Sequence, residues 1–215
     1  MIISHGRKYI FVHIPKTGGT ALSLALEGRA KKDDILIGDT PKAVQRRRRL
    51  KGVQSSGRLW KHSRLTDIYG LVTQAEIEGF FTFTLVRNPW DRMVSYYHWL
   101  RDQTFDHPAV MLAQRLDFSG FLNDEHTKLT MRAAPYGHYM WDQNGVERCD
   151  LFIRLEHLEQ DLAPLQTHLG FDLGHVPIAN ASRRDADYRS YYSDVDADVL
   201  ADICAEDIAR FSYRF

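Results

Sequence analysis

A glycine-rich segment near the amino terminus, Pro15-Lys16-Thr17-Gly18-Gly19-Thr20, restricts the fold of this chain more than any other feature. It follows a run of β-branched and aromatic residues, 9–14, and precedes a run of good helix formers, 21–26. This order predicts a strand, a tight loop and a helix. Free backbone N–H groups and the dipole at a helix start favour a phosphate, and glycines let it approach the backbone. The segment predicts a phosphate-binding loop, although a glycine turn without a catalytic role has the same pattern.

The order of residues in this loop differs from that of nucleoside triphosphate loops. Those loops have the pattern G-x-x-x-x-G-K-[ST], with the lysine after the glycines and a hydroxyl that holds Mg²⁺. Here Lys16 comes before the glycines. The apolar strand predicted at 80–86 is followed by Arg87, where such proteins carry a metal-binding aspartate. We therefore expect the loop to bind an anion without a metal ion.

The second predicted strand, Phe80 to Val86, leads into a clearly signalled helix. Asn88 is a good N-cap, Pro89 suits the first helical position and Asp91 suits the first turn. The helix is expected to run to about Leu100.

Arg87 and Ser95 are expected to face the same mouth, because the residues between them follow helical spacing. A guanidinium fork and a hydroxyl make a good receptor for a second phosphate, although a structural salt bridge of Arg87 is the alternative. Two anion sites at the carboxyl ends of two strands are typical of an open α/β sheet that binds a bisphosphorylated nucleotide.

A third strand is predicted at 150–154, with a helix from Leu158 to Leu169 that stops at Gly170. The repeated order of strand and helix predicts an α/β, P-loop-like three-layer fold with a mostly parallel central sheet flanked by helices. The length favours a single domain, 1–215. A last helix is predicted after a cap at Ser193 or Asp194, with acidic residues mostly on one face and these apolar residues on the other: Val195, Val199, Ile203 and Ile208.

The composition limits the classes of binding partner and the cellular compartment that we expect for this chain. Lys and Arg number 28, and Asp and Glu also number 28, so no global field attracts nucleic acid or an anionic membrane. No signal peptide and no apolar run long enough to cross a membrane is visible. The two cysteines are too few for a disulfide framework, so a reducing compartment is expected and we predict a cytoplasmic protein. The ten histidines and the cysteines show no metal-ligand spacing, so no catalytic metal is expected.

One segment, 41–58, is strongly basic and contains no acidic residue. A solvated surface segment is the plain interpretation. A binding edge for an anionic acceptor, such as an acidic glycan, is the functional one. Nucleic-acid binding is a third, because an electrostatic footprint carries no sequence information. The segment's cations are Lys42, Arg46, Arg47, Arg48, Arg49, Lys51 and Arg58.

These motifs together resemble the sulfotransferases that use 3′-phosphoadenosine 5′-phosphosulfate (PAPS), in the carbohydrate branch that includes heparan sulfate 2-O-sulfotransferases. The segment 13–20 resembles their 5′-phosphosulfate loop. The segment 86–97, VRNPWDRMVSYY, resembles their 3′-phosphate motif and is the more specific match. Further similarity at 60–67, 152–162 and 207–215 extends the resemblance over nearly the whole chain, whereas 104–142 matches poorly.

The resemblance implies a role for each matching residue. Lys16, with the backbone of Thr17, Gly18, Gly19 and Thr20, would contact the 5′-phosphosulfate. Arg87 and Ser95 would hold the 3′-phosphate. Ser182 and Arg183 lie in a segment, 180–184, that resembles the loop closing over the nucleotide. His62 occupies the position of the catalytic histidine of the 2-O-sulfotransferases.

We therefore predict an enzyme that transfers a sulfuryl group from PAPS to a hydroxyl or amine and releases adenosine 3′,5′-bisphosphate. His62 is the predicted base, Lys16 steadies the leaving oxygen, and Glu27 is a reserve base or a solvent-facing helix residue. The acceptor is expected to be a glycan, another carbohydrate-containing molecule or a small molecule, and the oligomeric state is not predicted. A nucleotide or small-molecule kinase and a non-catalytic anion-binding module are the alternatives.

Several aromatic residues belong to the core or line an acceptor groove: Trp60, Tyr96, Tyr97, Trp99, Tyr136, Tyr139 and Trp141.

Overall fold

The computed structural model describes residues 1–176 and 184–215. Within them the chain forms two compact units. The sheet unit comprises Met1–Val86 and Tyr136–Asn180, and the helical unit comprises Arg87–Pro135 and Ala181–Phe215. The strands and α-helices are, in chain order, β1 (Ile2–Ser4), β2 (Tyr9–Val12), α1 (Gly19–Gly28), β3 (Ile35–Leu36), α2 (Pro41–Arg46), α3 (Gln74–Gly79), β4 (Phe81–Val86), α4 (Pro89–Arg101), α5 (Pro108–Arg115), α6 (Phe118–Asn123), α7 (Glu125–Arg132), β5 (Leu151–Arg154), α8 (Leu158–Asp161), α9 (Ala163–Leu169), α10 (Asp194–Ile203) and α11 (Ala205–Phe211).

The sheet has five strands in the order β3-β1-β2-β4-β5. The pairs β2–β4 and β4–β5 are parallel, whereas β1 is antiparallel to both β2 and β3. Four strands therefore share one direction and β1 alone opposes them. This mixed sheet, flanked by helices, confirms the predicted α/β fold and its mostly parallel sheet. The carboxyl ends of β2, β4 and β5 meet at one edge, which is where such sheets bind ligands.

The core of the sheet unit is formed by alternate residues of the strands, as a pleated strand requires. Phe11, Phe83 and Ile153 are completely buried, and Leu22 of α1 and Leu165 of α9 pack on them. The helix that carries the glycine-rich loop is thus fixed to the sheet by its apolar side.

The first strand of the predicted βα unit ends at Val12, two residues before the predicted end at Ile14. The carbonyl of Ile14 accepts a hydrogen bond from the hydroxyl of Thr17 at 2.9 Å, so it serves the loop and not a strand ladder. The hydroxyl of Thr84 in β4 donates to the carbonyl of Val12 at 2.8 Å and marks the last paired position. His13 and Ile14 therefore belong to the loop.

The helix predicted from Leu158 to Leu169 is interrupted. It consists of α8 and α9, and Pro164 is near the start of α9. Proline has no N–H to donate to the preceding turn, which explains the break. Gly170 ends α9 with φ 72°, as predicted from its position.

The helical unit has its own apolar core, built around α4. Met93, Val94 and Phe121 are fully buried there, together with Leu200 of α10. Tyr97 of α4 is buried and its hydroxyl donates to the carbonyl of Leu116 at 2.9 Å. No helix among residues 1–176 and 184–215 is long and apolar enough to cross a membrane.

The cap of the last predicted helix is correct, and Val199, Ile203 and Ile208 pack in the apolar core as expected, whereas Val195 and Asp196 do not follow the predicted faces. The predicted helix is also divided at Cys204 into α10 and α11. The hydroxyl of Ser193 accepts from the N–H of Asp196, so Ser193 is the N-cap of α10. Val195 was expected on the apolar face, yet it is 70% exposed. Asp196 was expected among solvent-facing acids, yet it is buried and accepts hydrogen bonds from Ser119 at 2.9 Å and Asn123 at 2.7 Å. These bonds offset the cost of burying the carboxylate.

Candidate active site

The glycine-rich loop connects β2 to α1 in the sheet unit. Lys16 has φ 65° and Gly18 has φ 86°, so left-handed residues stand on both sides of Thr17. Such alternation turns successive N–H groups toward one side and forms a concave site for an anion. A left-handed lysine is costly, and that kind of strain is typical of functional sites. The first N–H groups of α1 continue the same surface.

The two glycines of this loop are required by close neighbours. A Cβ at Gly19 would lie 2.1 Å from Cδ2 of His13, and a Cβ at Gly18 would lie 2.8 Å from Cδ1 of Leu155. Leu155 directly follows β5. The loop is therefore held between the ring of His13 and the residue after the third parallel strand, and it has no room for side chains at these positions.

His62 lies beside this loop. Its Nδ1 is 2.7 Å from the carbonyl oxygen of His13, and the two rings meet edge to face with centroids 4.7 Å apart. Because a carbonyl only accepts, Nδ1 carries the hydrogen and the neutral ring has its lone pair on Nε2. Burial lowers the pKa of His62 to about 3, although the bond to His13 opposes this. The imidazole is therefore neutral at physiological pH, in the tautomer that a base needs.

His13 is buried and fixed. Burial lowers its pKa well below the usual value, and the charge of Lys16 is among the smaller causes. Lys16 is three residues after His13 in the same loop. The structure thus places His62 against His13, in the loop that also contains Lys16.

Glu27 lies at the far end of α1 from the loop. The expectation that it faces solvent is wrong, because it is only 5% exposed. Both its carboxylate oxygens are within hydrogen-bond reach of the Thr40 hydroxyl, at 2.7 and 2.8 Å, and Thr40 caps α2. Burial raises its pKa despite the bond from Thr40. Glu27 therefore joins α1 to α2, which is a structural role.

In the helical unit, Asp91 holds two arginines. It accepts from Nε and Nη2 of Arg87 at 2.8 and 2.6 Å, and its other oxygen accepts from Arg184 at 2.5 Å. All three side chains are at most one-fifth exposed. Arg87 thus forms the salt bridge that the sequence allowed as an alternative, and the same bridge orients two guanidinium groups side by side.

Two buried nitrogen atoms in the helical unit have no hydrogen-bond partner among the residues that the structure describes. They are Nη1 of Arg184 and Nε2 of His98. Burial lowers the pKa of His98, and the charges of Arg101 and Arg184 add to this effect. Ser95 lies on α4 between Asp91 and His98 and is buried. Because buried polar atoms are normally satisfied, these two nitrogens are candidates for contact with a polar ligand.

Ser182 and Arg183 lie outside the described residues. Among the residues described, no group of three or more His, Cys, Asp or Glu side chains could hold a metal ion. Cys149 and Cys204 are both free thiols, and burial raises the pKa of Cys204 to about 12.

A profile of the Sulfotransferase family matches residues 1–214. The chain belongs to this family. The match covers both compact units and confirms the resemblance to PAPS-dependent sulfotransferases and the expectation of an enzyme.

The fold of this sulfotransferase is similar to that of mouse sulfotransferase SULT7A1, whose crystal structure was solved in complex with PAP. The TM-score is 0.51 at 16% sequence identity, and the match covers 93% of this chain and 83% of the mouse chain. At this identity the similarity concerns the fold alone. No curated protein matches the sequence.

Three residues of this sulfotransferase were given no role in the site from sequence. Asp91 was interpreted only as a first-turn helix residue, although its spacing of four from Arg87 is that of a helical ion pair. Arg184 was included in the nucleotide-closing segment without a role. His13 appeared at the end of the predicted strand and at the start of the segment that resembles the 5′-phosphosulfate loop, and nothing in the sequence places its ring against Gly19 and His62.

Proposed function

We propose that this sulfotransferase uses PAPS as donor and transfers the sulfuryl group to a hydroxyl or amine of a carbohydrate-containing acceptor, such as a glycan. The proposal is supported by the family and by two sets of groups suited to anions, one in each compact unit. We assign both units to one catalytic domain, 1–215. The free thiols support a reducing compartment such as the cytoplasm.

The observation that carries the mechanism is the bond from Nδ1 of His62 to the carbonyl of His13. It leaves the lone pair on Nε2 of a ring that contacts the loop residue His13. The acceptor oxygen or nitrogen attacks sulfur and passes its proton to Nε2 of His62. The bond between sulfur and the bridging phosphate oxygen breaks, and its electron pair stays on that oxygen of adenosine 3′,5′-bisphosphate. Lys16 stabilises the developing negative charge there.

The 3′-phosphate is assigned to Arg87 and Ser95, with Ser182 and Arg183 from the segment that resembles the closing loop. Asp91 orients Arg87, and the unpartnered nitrogen of Arg184 suits a phosphate oxygen. The proposed chemistry is in-line displacement, which depends on positioning and charge stabilisation and calls for no metal.

Transfer of labelled sulfur from PAPS to a panel of glycans, glycosides and small alcohols tests the proposal.

Replacement of His62 by Ala is expected to lower kcat by about 10²–10⁴-fold with nearly unchanged donor affinity. His157, which is exposed and outside the cluster, is the matched control, and His157→Ala should keep full activity. Equal turnover in the two variants would remove His62 from the role. Phosphate transfer from ATP would favour a kinase, and no transfer to any compound would favour an anion-binding module.

A further inference from the structure

The sheet unit contains a cavity of about 760 Å³ that the proposed chemistry does not use. Its wall includes the apolar side chains of Leu36, Val44, Leu50 and Trp60. Val44 is 48% exposed and Trp60 is 43% exposed, so large apolar surfaces face the opening. The volume is that of a pocket for one small molecule or for one end of a larger one.

The same wall carries positive charge that is not neutralised. Arg47, Arg48 and Lys51 line the cavity and are exposed. Among the described residues these three form no ion pair, and the side chain of Arg47 donates a hydrogen bond to the carbonyl of Gly38, at 3.4 Å. The acidic lining residue, Asp39, is paired with Lys61 at 2.6 Å. Charge complementarity therefore favours an occupant with a negative group.

The cavity lies next to the proposed base. The residues that line it include Trp60 and Lys61, and His62 follows Lys61 in the chain. The ring of Trp60 meets the ring of His62 edge to face, with centroids 5.0 Å apart. A molecule seated against Trp60 would therefore contact a residue that itself contacts the imidazole.

We propose that this cavity is the acceptor site and that the acceptor is an amphiphilic anion. An apolar chain or ring lies against Val44, Leu50 and Trp60, and a carboxylate, sulfate or phosphate group binds Arg47, Arg48 and Lys51. The hydroxyl that receives the sulfuryl group points to His62. This inference rests on the proposed function, because it takes sulfuryl transfer as the reaction. Binding of the acceptor is nevertheless measured without turnover.

Calorimetry with matched compounds tests both halves of the proposal, in the presence and absence of adenosine 3′,5′-bisphosphate. Octyl glucuronide has the chain and the charge, octyl glucoside has only the chain, and glucuronate has only the charge. Octyl glucuronide is expected to bind at least about tenfold more tightly than either of the others. Equal affinity of octyl glucoside would overturn the anionic part, and equal affinity of glucuronate would overturn the apolar part.

Two variants locate the site. The double variant Arg47→Gln with Arg48→Gln should reduce the preference for octyl glucuronide over octyl glucoside. Arg49→Gln is the matched control, because Arg49 belongs to the same basic run but does not line the cavity, and its side chain donates to the carbonyl of Lys32. Equal losses in both variants, together with tight binding of a heparin tetrasaccharide, would instead show a diffuse surface for a hydrophilic polyanion.

The donor experiment separates the two proposals. If adenosine 3′,5′-bisphosphate binds but octyl glucuronide does not, the cavity inference fails and the proposed donor remains. If octyl glucuronide binds as expected but the nucleotide does not, the proposed function fails and the amphiphile site remains.

Discussion

His62 is the proposed base, and burial lowers its pKa more than the neighbouring charges do. A base with a pKa near 3 is deprotonated at every physiological pH, but it is a weak base until a negative charge comes close. An anionic donor beside the ring would raise its proton affinity, because opposite charge favours the protonated form. The bound donor would thus strengthen the base that uses it.

The low pKa of His62 predicts how stability changes with pH. The unfolded chain binds a proton at His62 below about pH 6.5, whereas the folded chain does so only near pH 3. The free energy of unfolding should therefore fall as the pH is lowered through about 6.5, since the unfolded state then binds more protons. His13, with a pKa lowered in the same direction, adds to the fall.

Thermal unfolding between about pH 5 and about pH 7.5 checks this. His62→Gln keeps a polar side chain but no titration, so its melting temperature should depend less on pH than that of the parent. Parallel curves for the two proteins would contradict the assigned pKa.

The glycines of α1 give a second prediction with an internal control. Gly19→Ala should destabilise the protein by about 1–3 kcal/mol and weaken donor binding, because its Cβ would displace the ring of His13. At Gly28, the last residue of the same helix, an added Cβ would meet no atom within 4 Å, so Gly28→Ala should be neutral or stabilising by up to about 1 kcal/mol. Denaturant unfolding and calorimetry with adenosine 3′,5′-bisphosphate measure both. An equal change in stability in the two variants would show that the contact with His13 carries no cost of its own.

Sequence reasoning singled out Lys16 and Arg87 because each stands in a short pattern at the end of a predicted strand, whereas His62 was named only through the family resemblance. The roles of all three stay predictions. Sequence reasoning placed Glu27 wrongly in solvent, since its burial depends on Thr40 from a later helix. It gave no role to His13 because ring contacts across the fold leave no trace in spacing.

At the scale of elements, α4 is the best anticipated helix, and its start is also its most connected point. The side chain of Asn88 accepts from the N–H of Trp90 at 3.0 Å and donates to the carbonyl of Arg214 at 3.0 Å and toward the hydroxyl of Tyr188 at 3.3 Å. The cap thus joins the helix to the carboxy-terminal tail of the same unit.

Removal of this cap should lower the free energy of unfolding more than removal of a cap that contacts only its own helix. Asn88→Ala loses the cap and leaves the Arg214 carbonyl without this donor, so a loss of about 2–3 kcal/mol is expected. Asp124 caps the exposed start of α7 through the N–H of His126, and Asp124→Ala should cost only about 0.5–1 kcal/mol. Urea unfolding of the two variants provides the comparison, and equal costs would mean that the tail contact adds nothing.

The helices and strands whose ends are marked by capping residues, glycine or proline were predicted from the sequence. The short strands and the short helices were not. β1 has three residues and pairs with β2, and β3 has two residues and pairs with β1. The helices α5 to α7 lie in the segment 104–142, which matches the family poorly. Their caps, such as Asp117, are not followed by a long run of apolar residues at helical spacing. Such elements depend on tertiary packing, which local patterns do not encode.

At the scale of the whole molecule, ligand binding distinguishes the sulfotransferase from a nucleotide kinase. Adenosine 3′,5′-bisphosphate at about 100 times its Kd should stabilise the protein by about 2.7 kcal/mol, equally with Mg²⁺ and with EDTA. ATP with Mg²⁺ should give a smaller shift in melting temperature. A shift by the bisphosphate that requires Mg²⁺ would contradict the metal-independent site.

The carboxylate of Asp91 has a consequence for how the protein responds to ionic strength. Arg87 and Arg184 already have a built-in counterion, so they attract fewer mobile anions from solution than two bare guanidinium groups would. Fewer ions are then released when a phosphate arrives. The affinity for the nucleotide should therefore weaken with added salt less steeply than the number of cations around it suggests.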